Sequence, residues 1–239
     1  MPLPYTELRK LPKERTPTPN QRAGILAWDV GFGPTSPHAH RNAIEIFYFF
    51  QGRCRMIVGP DDRVIRSGEF VVVPPEAPHA FEVVGDTPVG LFLIVTPNLI
   101  PSHTPPEDFA PGAEKIGMQV QAAKPGMKAK FPPFLASEVV AVPPGGAHAL
   151  KADPAAETVV FVMRGQPDAT VGPLSGQMPT YGELFVPPGQ AHRWENRSHD
   201  PVELLISRVT NDSKRTCLDT PFERGALVAE YRRRQKRQN

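Results

Sequence analysis

His38 and His40 stand two residues apart, and side chains along an extended strand alternate between faces, so both imidazoles share one face. After the turn Arg41–Ile44, Glu45 begins the apolar strand Glu45–Phe50. His79 follows a proline-rich turn and starts a further strand, with Phe81 and Val83 on its own face. Three neutral imidazoles and one carboxylate, carried by different strands facing one interior, suit a divalent transition metal. An octahedral ion held this way keeps two adjacent positions open for water or substrate. Phe47 and Phe49 share the parity of Glu45. With Phe81 and Phe92 they are expected to line an apolar pocket fit for an aromatic or enolisable molecule.

The elements that must position these residues are short strands. The chain has 239 residues, 30 of them proline and 19 glycine, and a helical bundle does not tolerate so many breaks, because each internal proline removes a hydrogen bond and clashes with the preceding turn. An internal repeat decides the organisation. Pro74, Pro75 and His79 recur as Pro187, Pro188 and His192, each 113 residues later, and the same offset relates Val58-Gly59-Pro60 to Val171-Gly172-Pro173 and Gly52 to Gly165. The chain is therefore expected to be all-β, with an extended arm over 1–22 and a first barrel over 23–100. A proline-rich connection over 101–133, a second barrel over 134–210 and a C-terminal helix with a basic tail over 211–239 complete it. Thr220-Pro221-Phe222-Glu223 is a capping box that opens that helix.

The stretch Gly33–Gly52 resembles the first signature of the cupin superfamily, through His38, His40, Glu45 and Gly52 as they stand here, with Gly33 one residue closer than usual. Gly68, Pro74 and His79 resemble the second signature, although Glu76 stands in place of the turn glycine and Val83 in place of an asparagine. In the second half Gly182, Pro187, Gly189, His192 and Asn196 match more fully, with the Gly182–Pro187 spacing one residue short. The resemblance implies a bicupin, two tandem jelly-roll barrels in one polypeptide. It further implies a metal held by His38, His40, Glu45 and His79, with Fe(II) expected first and Mn, Ni, Cu or Zn as alternatives. The expected activity is a dioxygenase, with Glu45 also serving as catalytic base. A metal-dependent lyase, decarboxylase or sugar-acid isomerase, or a non-catalytic binding bicupin, are the competing readings.

The second barrel reads as degenerate. Shifting Glu45 by 113 lands on Thr158, with Glu157 one residue away and so on the opposite face. His38 and His40 map onto Lys151 and Asp153, leaving His148, Glu157 and His192 as the candidate group of a second site. His103 and His199 read as surface residues in polar loops, and Cys54 and Cys217 as buried thiols without a ligand spacing. The net charge of +2 comes from the last eight residues, which hold five basic side chains and no acid; without them 22 basic residues face 25 acidic ones. The body thus offers no footprint for nucleic acid. No run of 18 apolar residues spans a membrane and no secretory leader is visible, so a cytoplasmic protein acting on a small molecule, and a homodimer, are the expectations.

Overall fold

Eight consecutive residues, Ile44–Gln51, are buried on both faces of their strand, which happens when a strand lies inside a sheet with protein on either side. The computed structural model describes residues 2–11, 16–17, 21–41, 43–96, 103–131 and 135–210. The helix expected over 220–234 and the basic tail lie outside them. In the first unit a six-stranded sheet runs in the order Thr16–Pro17, Arg22–Trp28, Val89–Thr96, Ile44–Gln51, Glu69–Val73, Gln119–Ala122. Antiparallel pairing sets Glu45 opposite Val95, Phe47 opposite Leu93 and Phe49 opposite Leu91, all facing the barrel interior. A three-stranded sheet, Asp61–Arg66, Arg53–Val58 and His79–Val83, covers that interior. Along Arg53–Val58 burial alternates, with Cys54, Met56 and Val58 inward. Phe47, Phe49 and Met56 are almost wholly buried, each contributing about 1.5–3 kcal/mol by leaving water.

The second unit repeats this plan. A five-stranded sheet has the order Lys128–Phe131, Leu135–Val142, Val202–Thr210, Ala156–Arg164, Glu183–Val186. A four-stranded sheet joins Ala147–Leu150, His192–Glu195, Asp168–Val171 and Leu174–Gln177. The repeat reaches down to irregularities: the register slips between Phe49 and Gln51 in one unit, and 113 residues on, between Val162 and Arg164, in the other. Turn backbones correspond as well. Glu76 adopts φ +65° where its counterpart Gly189 has +79°, so the turn keeps its shape although glycine is replaced. Conversely Tyr181, at φ +65°, is the counterpart of Gly68, at φ +88°. The sequence match of Gly68 to Gly182 is therefore off by one, which removes the apparent short spacing to Pro187.

Two expected boundaries are corrected. The arm over 1–22 is not extended throughout: Tyr5–Leu8 forms a helical turn and Leu8 is fully buried. The segment is tied to the barrel through the buried amide of Gln51, which must find partners at the strand end. It accepts from the Leu3 N–H at 2.6 Å and donates to the Leu3 carbonyl at 2.7 Å. Nor is 101–133 a plain connection. His103–Thr104 pairs with Ala39–His40, Gln119–Ala122 edges the six-stranded sheet, and the first compact unit reaches Gln121, with the second starting at Ala122. Among the described residues no helix is long and apolar enough to cross a membrane.

Candidate metal centre

The backbone fixes the histidines before their side chains are considered. His38 and His79 exchange backbone hydrogen bonds, the N–H of each donating to the carbonyl of the other at 3.1 and 2.8 Å. His40 sits two residues on, in the short strand Ala39–His40, and Glu45 projects inward from the neighbouring strand Ile44–Gln51. Ring centroids lie 4.3 Å apart for His38 and His79, and 5.1 Å for His38 and His40 and for His40 and His79. Glu45 bridges two of the rings, with Oε1 3.4 Å from Nε2 of His40 and Oε2 3.2 Å from Nε2 of His79.

The four residues expected as one ligand set fall into two overlapping groups. The candidate ligand atoms of His40, Glu45 and His79 lie within 4.8 Å of one another, as do those of His38, His40 and His103. His103 was expected at the surface, and it is exposed, but it also pairs opposite His40 and stacks its ring on His38, with centroids 4.6 Å apart and planes 12° from parallel. The sequence did not reveal that contact because it depends on pairing between residues more than sixty positions apart, inside a proline-rich run with no periodicity to betray it.

Protonation is arranged for ligation. Nδ1 of His79 lies 2.8 Å from the Ala77 carbonyl and Nδ1 of His38 lies 3.1 Å from that of Ser36. A carbonyl only accepts, so Nδ1 carries the proton and Nε2 is left as a lone-pair donor. Burial, reinforced by the neighbouring histidines, pulls the His38 imidazole down to about 3 from its ordinary 6.5. Burial and then His40 likewise lower His103. Burial alone would raise Glu45; the neighbouring His40, and after it His79, outweigh burial and hold the carboxyl well below its usual range. At neutral pH the His38 and His103 rings are therefore neutral beside an ionised Glu45. Oε2 of Glu45 and Nε2 of His79 are buried without a hydrogen-bond partner, a costly state for a carboxylate that a divalent cation would relieve. The donor set fits such an ion.

The centre opens into a cavity of about 160 Å³. Of the four phenylalanines expected to line it, Phe47 and Phe81 do. Phe49 belongs to the barrel core deeper down, and Phe92 pairs with Tyr48 on the opposite face of the sheet. Leu26, Trp28, Leu93 and Val95 complete the apolar wall, and Arg22 and His103 the polar one. The alternation Arg22, Gly24, Leu26, Trp28 was the signal in sequence that could have found this wall.

Residues 26–95 match the Cupin domain family, a stretch that includes His38, His40, Glu45 and His79 but not His103. An uncharacterized protein of Methanocaldococcus jannaschii is 31% identical over 52 residues, covering 22% of this chain and 42% of that relative, so the chain matches less than half the length of this curated relative. Among solved structures, salicylate 1,2-dioxygenase from Pseudaminobacter salicylatoxidans superposes with a TM-score of 0.62 at 15% identity, over 80% of this chain and 71% of that one. A mutant of Bacillus subtilis oxalate decarboxylase OxdC gives 0.59 at 15% identity, over 82% and 72%. Residues 26–95 carry a Cupin domain, and the chain shares the fold of these structures.

The two barrels differ in their ligand positions. Pairing sets Leu150 opposite His192 where the first barrel has His38 opposite His79, so Leu150, and not Lys151, is the counterpart of His38. Thr158 takes the place of Glu45. Glu157 pairs with Val209 on the other face of the strand and is fully buried there, away from the interior face of Val160 and Val162. Asp153, the sequence counterpart of His40, is ion-paired with Arg208. Hence His148, Glu157 and His192 do not form a ligand group among the described residues. The His192 ring still has Nδ1 3.1 Å from the Gln190 carbonyl, the counterpart of the His79–Ala77 contact. The scaffold persists where the ligands do not.

Proposed function

We propose that the first barrel is the active site of a metal-dependent dioxygenase acting on a small aromatic or enolisable molecule. The observation that carries this reading is the buried Glu45 carboxylate and His79 Nε2, both without hydrogen-bond partners, at the end of an apolar cavity. His38, His40, His79 and Glu45 would hold the metal, Fe(II) in the first instance and Mn, Ni, Cu or Zn as alternatives. A redox-active ion bound there would supply a meeting point for O₂ and a chelating substrate, removing much of the entropic cost of their encounter. Glu45 sits near the start of its strand, within reach of both the imidazoles and the cavity, and accepts the proton of a substrate hydroxyl. Phe47, Phe81 and Trp28 exclude water from the reacting atoms and hold a flat substrate between them. The shared fold with a salicylate dioxygenase is consistent with this substrate class.

The test measures metal content and oxygen uptake on one sample, purified without chelators, against a panel of hydroxybenzoates, catechols and β-diketones. One metal per chain and oxygen uptake with at least one substrate are expected. Glu45→Gln should retain metal at saturation and lose at least a hundredfold in turnover, in line with general-base roles of about 10²–10⁴. Full metal with near-normal turnover in Glu45→Gln would remove the base role. A metal-loaded protein that converts substrate without consuming oxygen would replace the dioxygenase with a lyase or decarboxylase, the activity named for another protein of this fold.

A further inference from the structure

We infer that Arg22 is a carboxylate anchor and that the ligand of the first-barrel cavity is a small planar organic carboxylate; this deepens the proposed function and rests on its reading of the cavity as the substrate site. Strand register supplies the geometry. Arg22 stands opposite Val95, and Val95 stands opposite Glu45, so one row of inward-facing positions crosses three neighbouring strands. Neighbouring strands lie ~4.8 Å apart, which puts the backbones of Arg22 and Glu45 roughly 10 Å from each other. The Arg22 side chain lines the same cavity as His38, His40 and Glu45. Between these two polar ends the wall is apolar, formed by Leu26, Trp28, Phe47, Phe81, Leu93 and Val95.

Arg22 is partly buried, and among the described residues no carboxylate lies in ion-pair range of it. A guanidinium stays charged at all accessible pH values and presents a planar fork that matches a carboxylate with two parallel hydrogen bonds. Against an apolar wall such a pair is shielded from water and salt, so it selects for a negative ligand more strongly than an exposed pair would. The cavity's 160 Å³ compares with the roughly 150 Å³ of an engineered apolar cavity that accepts benzene. A single ring bearing one carboxylate therefore spans the row, with its charge on Arg22 and its far edge facing His38, His40 and Glu45.

The experiment is titration calorimetry with sodium benzoate and with benzamide, its neutral isostere, on the protein as purified and after chelation. Benzoate is expected to bind at least tenfold more tightly than benzamide. Arg22→Gln should weaken benzoate tenfold or more and leave benzamide unchanged, with Arg22→Lys falling between. The preference should survive chelation, since it comes from the protein's own cation. Metal content and thermal midpoint equal to wild type establish that Arg22→Gln is folded, and Arg22→Lys carries the comparison if it is not. Equal benzoate affinity in wild type and Arg22→Gln, or no preference for benzoate over benzamide in wild type, overturns the assignment. Neither result touches the dioxygenase reading, which stands or falls on metal content and oxygen uptake.

Discussion

Acidification should weaken the metal-free protein in a window set by His38. Its imidazole titrates at about 3 in the folded protein against an ordinary value of 6.5, mainly because it is buried, with His79, His40 and His103 adding to the effect. Below 6.5 the unfolded chain takes up a proton that the folded ring refuses until about 3, so stability present above 6.5 is lost progressively as pH falls through that interval. Glu45 acts in the same direction further down. Its folded value is lowered beneath 4.5, so the unfolded chain is protonated first and the carboxylate's contribution fades below that pH. At pH 5, which lies 1.5 below the ordinary histidine value, His38 alone accounts for a loss of about 2 kcal/mol before screening. Its ring is partly exposed, which brings the expectation to about 1–2 kcal/mol. The assay is urea unfolding of chelator-treated protein at pH 7.5 and pH 5, with His38→Gln as the comparison. Wild type should lose stability on acidification and His38→Gln should lose less; His103 and His192, also lowered by burial, keep the variant from being flat. Equal stability at the two pH values, or an identical drop in His38→Gln, would refute the view that burial holds His38 neutral.

Two further outcomes can be checked on the same preparations. Glu76→Gly should stabilise the protein by about 0.5–1 kcal/mol, because a left-handed backbone penalises a side chain, and Gly189→Glu should cost a similar amount; opposite shifts in thermal midpoint are the readout, and a loss in Glu76→Gly would mean that its side chain holds the turn. Cys54 is fully buried and its thiol is pushed up to about 12 by burial, so iodoacetamide at pH 8 should leave it unmodified in the folded protein, as peptide mass spectrometry would show, whereas rapid labelling would place it in an opening segment.

What could be read in the sequence was whatever depends on local spacing. His38, His40, Glu45 and His79 are marked by residue type and by strand periodicity, and the 113-residue offset exposed the duplication through prolines and glycines that the turns require. What escaped depends on register between strands distant in the chain. Phe92 was assigned to the pocket by its aromatic character, but its pairing with Tyr48 puts it on the outer face. Arg22 was assigned nothing, because only its pairing with Val95 reveals that it shares a row with Glu45. The pairing of His103 with His40 was hidden for the same reason. The Gly68–Gly182 match failed differently: Tyr181 holds a positive φ that residue type alone would not suggest.

The comparison of the barrels separates what the fold needs from what the centre needs. Both keep the register slip, the left-handed turns and the carbonyl that fixes the histidine tautomer. Those features come from backbone requirements and survive any change of interior side chain. At the ligand positions the second barrel has Leu150 and Thr158, uncharged side chains that need no cation beside them. The first barrel buries Glu45 with an oxygen left unpartnered. An unsatisfied buried polar group costs about 1–3 kcal/mol, and more when charged, so the first arrangement is the less stable solution for the same scaffold. Its persistence in one barrel beside a neutral alternative in the other is the physical argument for ligation: a cation would partner the Glu45 oxygen that the neighbouring imidazoles leave without a hydrogen bond.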